Sequence, residues 1–347
     1  CRRKQKCFSA CRYGGQQPVK KRLSGCHESK TKQKEEEKMR YKMIYILFLI
    51  FLLITIPYVI TVFLSQQDKN IQFENYDSGY QVISGNDKDD LETYLLKILP
   101  GQISMDQENE AVKAQAVILR TDIIRRMENK KQIARQKLPY TTYENSEYRK
   151  KLGNRSYQSM DQKRKKSVSE TRGKVITYKN KLIEPYFHAL SVGMTLDSRE
   201  WFGKDLPYIR EKESLSDIEA KDYMSVKVMS YEKIAGMIKT KTKKDIKINR
   251  LEKNLRIGRT TKNGYVRQVY VDSLMIKGED FADWFHLASN NFYFEQYKGK
   301  LRIICLGKGN GLGMSQYGAG TMAKTGKSYK KILKYYYPKT RITNLYE

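Results

Sequence analysis

The chain of 347 residues is long enough for one or two domains with a proper hydrophobic core. Its 67 Lys and Arg residues against 38 Asp and Glu give a formal net charge of +29, which implies an anionic partner: nucleic acid, acidic lipid or acidic wall polymers. Cys305 is the single cysteine in residues 27–347, so a disulfide within that part of the chain is excluded.

Residues 1–38 are polar and have no apolar periodicity. The spacing of Cys7, Cys11 and Cys26 fits no common zinc finger, so no metal is expected there. A Lys-Glu-Glu-Glu-Lys run before Met39 is what a purine-rich ribosome-binding site would encode. We therefore expect translation to start at Met39, with residues 1–38 a non-native upstream or disordered cytoplasmic segment.

Residues 43–64 are an uncharged apolar run of 22 residues, and a helix of that length extends about 33 Å, enough to cross a bilayer. A cleaved signal peptide is the alternative, but the run is long for one and no small-residue cleavage site follows. Basic residues precede the run, so the positive-inside rule makes residues 39–42 a cytoplasmic stub and places residues 65–347 outside. A single-pass protein of the cell membrane with this orientation argues against nucleic acid as the partner.

A polar stretch, residues 65–90, is typical of a linker. Asp89 or Asp90 is predicted to cap a first helix, which Pro100-Gly101 would end. A second helix is predicted to follow, and its apolar residues at intervals of three or four indicate one buried face: Val112, Ala116, Leu119, Ile123 and Met127.

The start of the second helix is predicted near Ser104, because its spacing to Gln107 fits a capping box. Residues 128–172 then hold 13 Lys or Arg against five acids and little apolar periodicity. They are predicted to form a solvated insertion or an irregular, partly helical excursion. Contact of this insertion with anionic wall polymer is the functional alternative.

From Val175 the pattern changes to short strands, with Lys179-Asn180 as the turn between the first two. A glycine-dense loop, residues 307–320, and a last helix from Ser328 to Tyr336 complete the chain. Helices first and strands later predict an α+β fold rather than a doubly wound sheet.

The glycine-dense loop does not fit a phosphate-binding P-loop. Gly326-Lys327-Ser328 looks like the end of that motif, but position 321, where a glycine is needed, is Thr321. The loop permits close approach of a ligand to the main chain.

Three segments resemble signatures of the stage II sporulation protein D and LytB amidase-enhancer family. GNGLGMSQYGAG, followed by a helix ending in YYYP, is similar to the family's GHGVGMSQYGA block. EAVKAQAVILRT and YFHALSVGMTLDSREWFGKDLPYIREKES resemble two further blocks, in the family's order. The likeness covers about residues 91–342.

This resemblance implies a membrane-anchored bacterial protein that acts on peptidoglycan glycan strands, beside a wall amidase as a possible partner and without a cofactor. It also implies a lytic transglycosylase, in which one glutamate is general acid and then general base and leaves a 1,6-anhydro sugar. In this chain Gln102 occupies the position of that glutamate, and Asn310 replaces the histidine of GHG. Because an amide transfers no proton at neutral pH, we expect a degenerate site, with ordinary catalysis as the alternative.

Other family positions are retained and are candidate contacts to sugar: Lys113, Gln115, Arg120, His188, Asn310, Ser315, Gln316 and Tyr317. Lys113, Gln115 and Arg120 are equally well explained as a solvated helix face, and His188 as a core residue. Glu92, Glu108 and Glu110 flank Gln102, but each is better explained as an acid in the first turn of a helix. No zinc site is expected, because the chain has no cysteine between residues 27 and 304.

Overall fold

The computed structural model describes residues 38–60 and 77–346, which fall into two separate units. The first is one helix, α1 (Lys38–Ile60), which is long and apolar enough to be a candidate membrane span. Its large apolar side chains are mostly exposed, as a lipid-facing helix requires. Residues 1–37, residues 61–64 of the predicted span and residues 65–76 of the predicted linker lie outside the described residues. The linker prediction is wrong for residues 81–90, which form two paired antiparallel strands of the second unit.

The second unit, residues 77–346, mixes helices and short strands, which confirms the α+β prediction. Its helices are α2 (Leu91–Gln102), α3 (Asn109–Arg126), α4 (Asn145–Leu152), α5 (Asn154–Glu170), α6 (Ser198–Phe202), α7 (Tyr231–Thr242), α8 (Ile248–Asn254), α9 (Gly278–Trp284), α10 (Gln316–Lys324) and α11 (Tyr329–Tyr336). Two 3-10 helices are Arg135–Lys137 and Leu215–Glu219.

The strands of this unit are β1 (Gln81–Ser84), β2 (Asp87–Asp90), β3 (Gln132–Ala134), β4 (Lys174–Tyr178), β5 (Lys181–Leu182), β6 (Phe187–His188), β7 (Met224–Met229), β8 (Leu255–Ile257), β9 (Gln268–Val271), β10 (Leu274–Lys277), β11 (Phe292–Tyr297), β12 (Lys300–Leu306), β13 (Met314–Ser315) and β14 (Arg341–Asn344). They form five small sheets with the orders β2-β1-β3, β14-β4-β5, β13-β6, β11-β12-β7 and β10-β9-β8. All pairs are antiparallel except β1–β3 and β6–β13.

A first hydrophobic core surrounds α3, which is buried along most of its length and on all sides. Its five predicted core residues are all buried, which confirms the predicted face. Helix α5 packs against α2 and α3, and its Arg164 and Val168 are almost wholly buried. The 128–172 segment is therefore partly helical, as one alternative held, but it contributes to the core instead of being wholly solvated.

Helix α2 begins as predicted and ends later than predicted. The Asp90 side chain accepts a hydrogen bond from the Glu92 amide and caps the helix, which continues through Pro100 to Gln102. Proline has no amide hydrogen to donate to the carbonyl four residues earlier. That carbonyl, on Leu96, accepts instead from Nη1 of Arg164 at 3.0 Å. A distant side chain thus allows the last turn of α2 to form.

The predicted capping box at Ser104 is wrong, because α3 begins at Asn109. The Ser104 hydroxyl forms a local turn instead, accepting from the Asp106 amide at 3.3 Å.

A second core lies between α7–α9 and the sheets β7–β12. The sequence patterns indicate β7 and β9–β12 of this core but neither β8 nor its helices. Tyr231, Ile234 and Ile238 of α7 are buried at helical spacing, a signal that the many lysines of α7 obscure.

Candidate glycan-binding cleft

Two short parallel strands bring distant signatures together. In the β6–β13 pair, Met314 is opposite Phe187 and Ser315 is opposite His188. Gly313 makes this approach possible: its φ is +69°, and a Cβ there would lie 1.8 Å from the Tyr186 carbonyl oxygen. Strand β13 leads directly into α10, so the glycine-dense segment is a loop only up to β13, and its last glycines are helical.

Ser315 and Gln316 hold the start of α10 in place. The buried Ser315 hydroxyl accepts from the Gly318 amide at 3.2 Å and caps the helix. The Gln316 side-chain amide donates to the main-chain oxygen of Gln102 and to Oε1 of Gln115, the latter at 3.1 Å. This hydrogen-bonded group, which we call the glutamine tie, joins the end of α2, the middle of α3 and the start of α10.

Gln102 lines a cavity of about 250 Å³, here called the Gln102 cleft. The other lining residues come from the end of α3, the segment before α4 and the segment leading into β6: Asp122, Arg125, Arg126, Pro139, Tyr140, Glu184, Pro185, Tyr186 and Phe187. The cleft therefore combines one amide with two carboxylates, two guanidinium groups and aromatic rings, a polar and apolar mixture suited to a sugar chain.

The two carboxylates of the cleft differ in availability. Asp122 is saturated, because it accepts from Nη2 of Arg125 at 2.9 Å, Nε of Arg126 at 2.6 Å and the Tyr140 hydroxyl at 2.6 Å. The Glu184 side chain is 43% exposed, with Nη2 of Arg125 at 3.9 Å. Glu184 is thus the more accessible of the two lining carboxylates.

The tyrosines of the cleft are hydrogen-bond donors. Burial, followed by the nearby carboxylates, raises the pKa of both Tyr140 and Tyr186 well above the usual range. Both hydroxyls therefore stay protonated at any physiological pH.

Several predicted contact residues face away from solvent. Arg120 is 0% exposed and forms a two-point ion pair with Glu92, with Nη2 to Oε2 at 2.6 Å and Nε to Oε1 at 2.9 Å. Gln115 is also fully buried. For these two residues the solvated-face interpretation is wrong, and direct contact of Arg120 with a sugar does not fit its burial.

Lys113 lies between two carboxylates, Glu110 and Glu170. Burial opposes its charge, but the hydrogen bonds to these carboxylates outweigh that effect and raise the pKa of Lys113. Its charge is already neutralised within the fold.

Two predicted contact residues lie in the loop before β13 and at the start of α10. Asn310 is half-buried, and its Oδ1 accepts from the Leu312 amide at 3.1 Å, so this side chain shapes the loop. Tyr317 is also half-buried, and its amide donates to the Ala189 carbonyl at 3.2 Å.

His188 is 4% exposed, and its Nδ1 donates to the Leu312 carbonyl at 2.9 Å, while Nε2 is buried without a partner. Burial lowers the pKa of His188, although the Leu312 carbonyl and Asp217 act in the opposite direction. The imidazole is therefore neutral in the folded protein and packs as a core residue.

This burial predicts a pH dependence of stability. Below about pH 6.5 the unfolded chain binds a proton at His188 that the folded chain rejects. The free energy of unfolding should fall by up to about 1.4 kcal/mol per pH unit as the pH drops below that value. His188→Gln should remove this slope in urea titrations at pH 7.5, 6.5 and 5.5, whereas replacing the exposed His286 by Gln should keep it. An unchanged slope in His188→Gln would contradict the assignment.

Glu184, Tyr186, Arg125 and Arg126 were missed by sequence reasoning. The available signal was the Glu184-Pro185 pair directly before the YFH block, because a proline between two strands marks a break in strand pairing. Within residues 38–60 and 77–346, no three His, Cys, Asp or Glu side chains are grouped so as to hold a metal ion.

Comparisons with known proteins agree with the signature segments. Residues 80–178 match the family model described as SpoIID, stage II sporulation protein. Stage II sporulation protein D of Bacillus subtilis (strain 168) is 28% identical over 260 residues, which cover 73% of this chain and 74% of that protein. An uncharacterized protein of Brachyspira hyodysenteriae is 29% identical over 252 residues, 71% of this chain and 65% of its own length. The amidase enhancer of Bacillus subtilis (strain 168) is 24% identical over 295 residues, 71% of this chain and 40% of that protein.

Proposed function

Because this chain belongs to the stage II sporulation protein D family, we propose that it binds peptidoglycan glycan strands in the Gln102 cleft and does not cleave them. In this proposal α1 anchors the protein in the cell membrane, and residues 77–346 act outside it during sporulation or wall remodelling. A wall amidase is the proposed protein partner, in line with the name of the amidase enhancer among the relatives.

One observation carries the proposal: an amide, Gln102, lines the cleft at the position where the resemblance expects the glutamate. Glutamine keeps the shape of glutamate and can both donate and accept hydrogen bonds to sugar hydroxyls. It cannot protonate the leaving oxygen of a glycosidic bond, a step that cleavage requires. The substitution therefore removes cleavage and leaves a side chain that can still contact the hydroxyl groups of a bound strand.

The test uses the full chain in detergent with peptide-stripped glycan strands, measuring bound strands and the mass of any product. We expect binding without anhydro-ended fragments. Gln102→Ala should weaken binding by about 2–10-fold, the value of one net hydrogen bond. Gln132→Ala, at an exposed glutamine of β3, should leave it unchanged. Equal binding by both variants would place the strand elsewhere.

A second candidate function is lytic cleavage with a relocated acid, which the exposed Glu184 carboxylate in the same cleft favours. In that case the native chain yields anhydro-ended fragments in the same assay, and Glu184→Gln abolishes them. Absence of such fragments from the native chain removes this candidate.

A further inference from the structure

A second cavity lies on the second core, away from the Gln102 cleft. It encloses about 250 Å³, and its lining is basic: Arg259, Val266, Arg267, Gln268, Met275, Lys277 and Glu279. None of these residues lines the Gln102 cleft.

The β8–β10 sheet arranges the basic residues in a row. The Arg259 carbonyl, two residues after β8, accepts from the amides of Arg267 at 2.8 Å and Gln268 at 3.2 Å. Gln268 is in turn opposite Lys277 in the β9–β10 pair. The β9–β10 pair and the segments that follow β8 and precede β9 thus bring three cations and one amide side chain to one place.

The charges of this row are not neutralised by the protein. Among residues 77–346, the exposed Arg259 and Lys277 and the half-buried Arg267 take part in no ion pair. Five other buried or half-buried arginines of this unit do: Arg120, Arg125, Arg164, Arg210 and Arg302. Glu279 is the one acidic residue of the lining, so the cavity has a formal net charge of +2. Three like charges in one cavity repel each other, and an anion that binds between them removes that repulsion.

The Arg267 side chain is held in place by an aromatic ring. Its guanidinium lies over the ring of Trp201 at 4.3 Å from the centroid, and Trp201 is itself buried. Stacking fixes the plane of a guanidinium while leaving its N–H edge free for a two-point contact with a carboxylate or phosphate. The ordering cost of binding is thereby reduced.

We propose that this cavity, which we call the Arg267 site, binds an oxyanion, phosphate or carboxylate, carried by a hydroxylated polymer of the cell wall. The cations and the Gln268 amide contact the oxyanion, while Glu279 accepts hydrogen bonds from hydroxyl groups of the carrier. This proposal goes beyond glycan binding in the Gln102 cleft, and the two sites can be disabled separately.

The test compares two double variants of the full chain that remove the same charge. Arg259→Gln with Lys277→Gln changes two exposed cations of the Arg267 site and leaves the Trp201 stack intact. Lys233→Gln with Lys241→Gln changes two exposed cations on α7 of the same core. The probes are poly(glycerol phosphate) and peptide-stripped glycan strands, which carry phosphate and carboxylate respectively.

We expect the site variant to raise the Kd for at least one probe about tenfold, equal to about 1.4 kcal/mol, and the α7 variant to change it less than about twofold. Weakening with poly(glycerol phosphate) alone identifies phosphate as the oxyanion, and weakening with glycan strands alone identifies carboxylate. Equal effects of both variants on both probes would overturn the proposal, because general attraction to a basic surface would then explain all binding. Gln102→Ala in the same assay reports on the Gln102 cleft independently.

Discussion

Gln102→Glu is expected to convert the chain into an enzyme that cuts peptide-stripped glycan strands to anhydro-ended fragments. The substitution restores a carboxyl that can give and then take a proton, an effect of about 10²–10⁴-fold in rate. It leaves the glutamine tie intact, because Gln316 bonds the main-chain oxygen of residue 102 and not its side chain. Arg125 and Arg126 are already paired with Asp122.

Mass spectrometry of the products at successive times gives the rate of strand cleavage by Gln102→Glu and by the native chain. Gln132→Glu adds the same negative charge on the exposed strand β3 and serves as the control, for which no cleavage is expected. If Gln102→Glu binds strands but makes no anhydro ends, the cleft has lost more than its acid.

Arg120→Met is expected to lower the free energy of unfolding by about 3–5 kcal/mol, because it leaves the Glu92 carboxylate buried without its cation. Glu92 also accepts from the Gly173 amide at 3.2 Å and the Tyr346 hydroxyl at 3.1 Å. Loss of the pair thus affects the contact between α2, α3 and the C-terminal segment. Urea unfolding followed by tryptophan fluorescence measures the change.

Arg126→Met is the matched control, since it removes an arginine of the same helix whose side chain is 37% exposed. Its cost should be well below that of Arg120→Met, because Asp122 keeps its hydrogen bonds from Arg125 and Tyr140. The double variant Glu92→Met with Arg120→Met should recover most of the lost stability, because no charge is left buried. If Arg120→Met lowers the free energy of unfolding by less than about 1 kcal/mol, the Arg120–Glu92 ion pair contributes no more to stability than an exposed ion pair does.

Local patterns in the sequence were sufficient to predict elements that local interactions determine. The Lys179-Asn180 turn has φ values of +49° and +61° and joins strands paired between Thr177 and Leu182, a hairpin that two residues suffice to set. The cap of α2 and the start of the last helix at Ser328 were predicted for the same reason.

Elements that depend on distant partners were not predictable in this way. The last turn of α2 relies on Arg164, and the interior position of Arg120 relies on Glu92. Burial of a charged residue contradicts its usual preference, so a pattern of apolar residues cannot reveal it. The structure brings the main chain of Gln102 next to the side chain of Gln316, and the sequence patterns did not indicate Glu184 or Arg267 as lining residues of a cavity.

The glutamine tie has a consequence for the order in which the protein folds. Its partners are 201 and 214 residues apart in the chain, and the bond between Tyr346 and Glu92 spans 254. Closing such long loops costs more chain entropy than pairing the neighbouring strands of β8–β10 or β11–β12. The strand pairs of the second core can therefore form early, whereas the glutamine tie closes only when α10 is in place. A chain that ends before residue 314 would keep every lining residue of the Gln102 cleft but lack the tie that fixes the end of α2 beside α3.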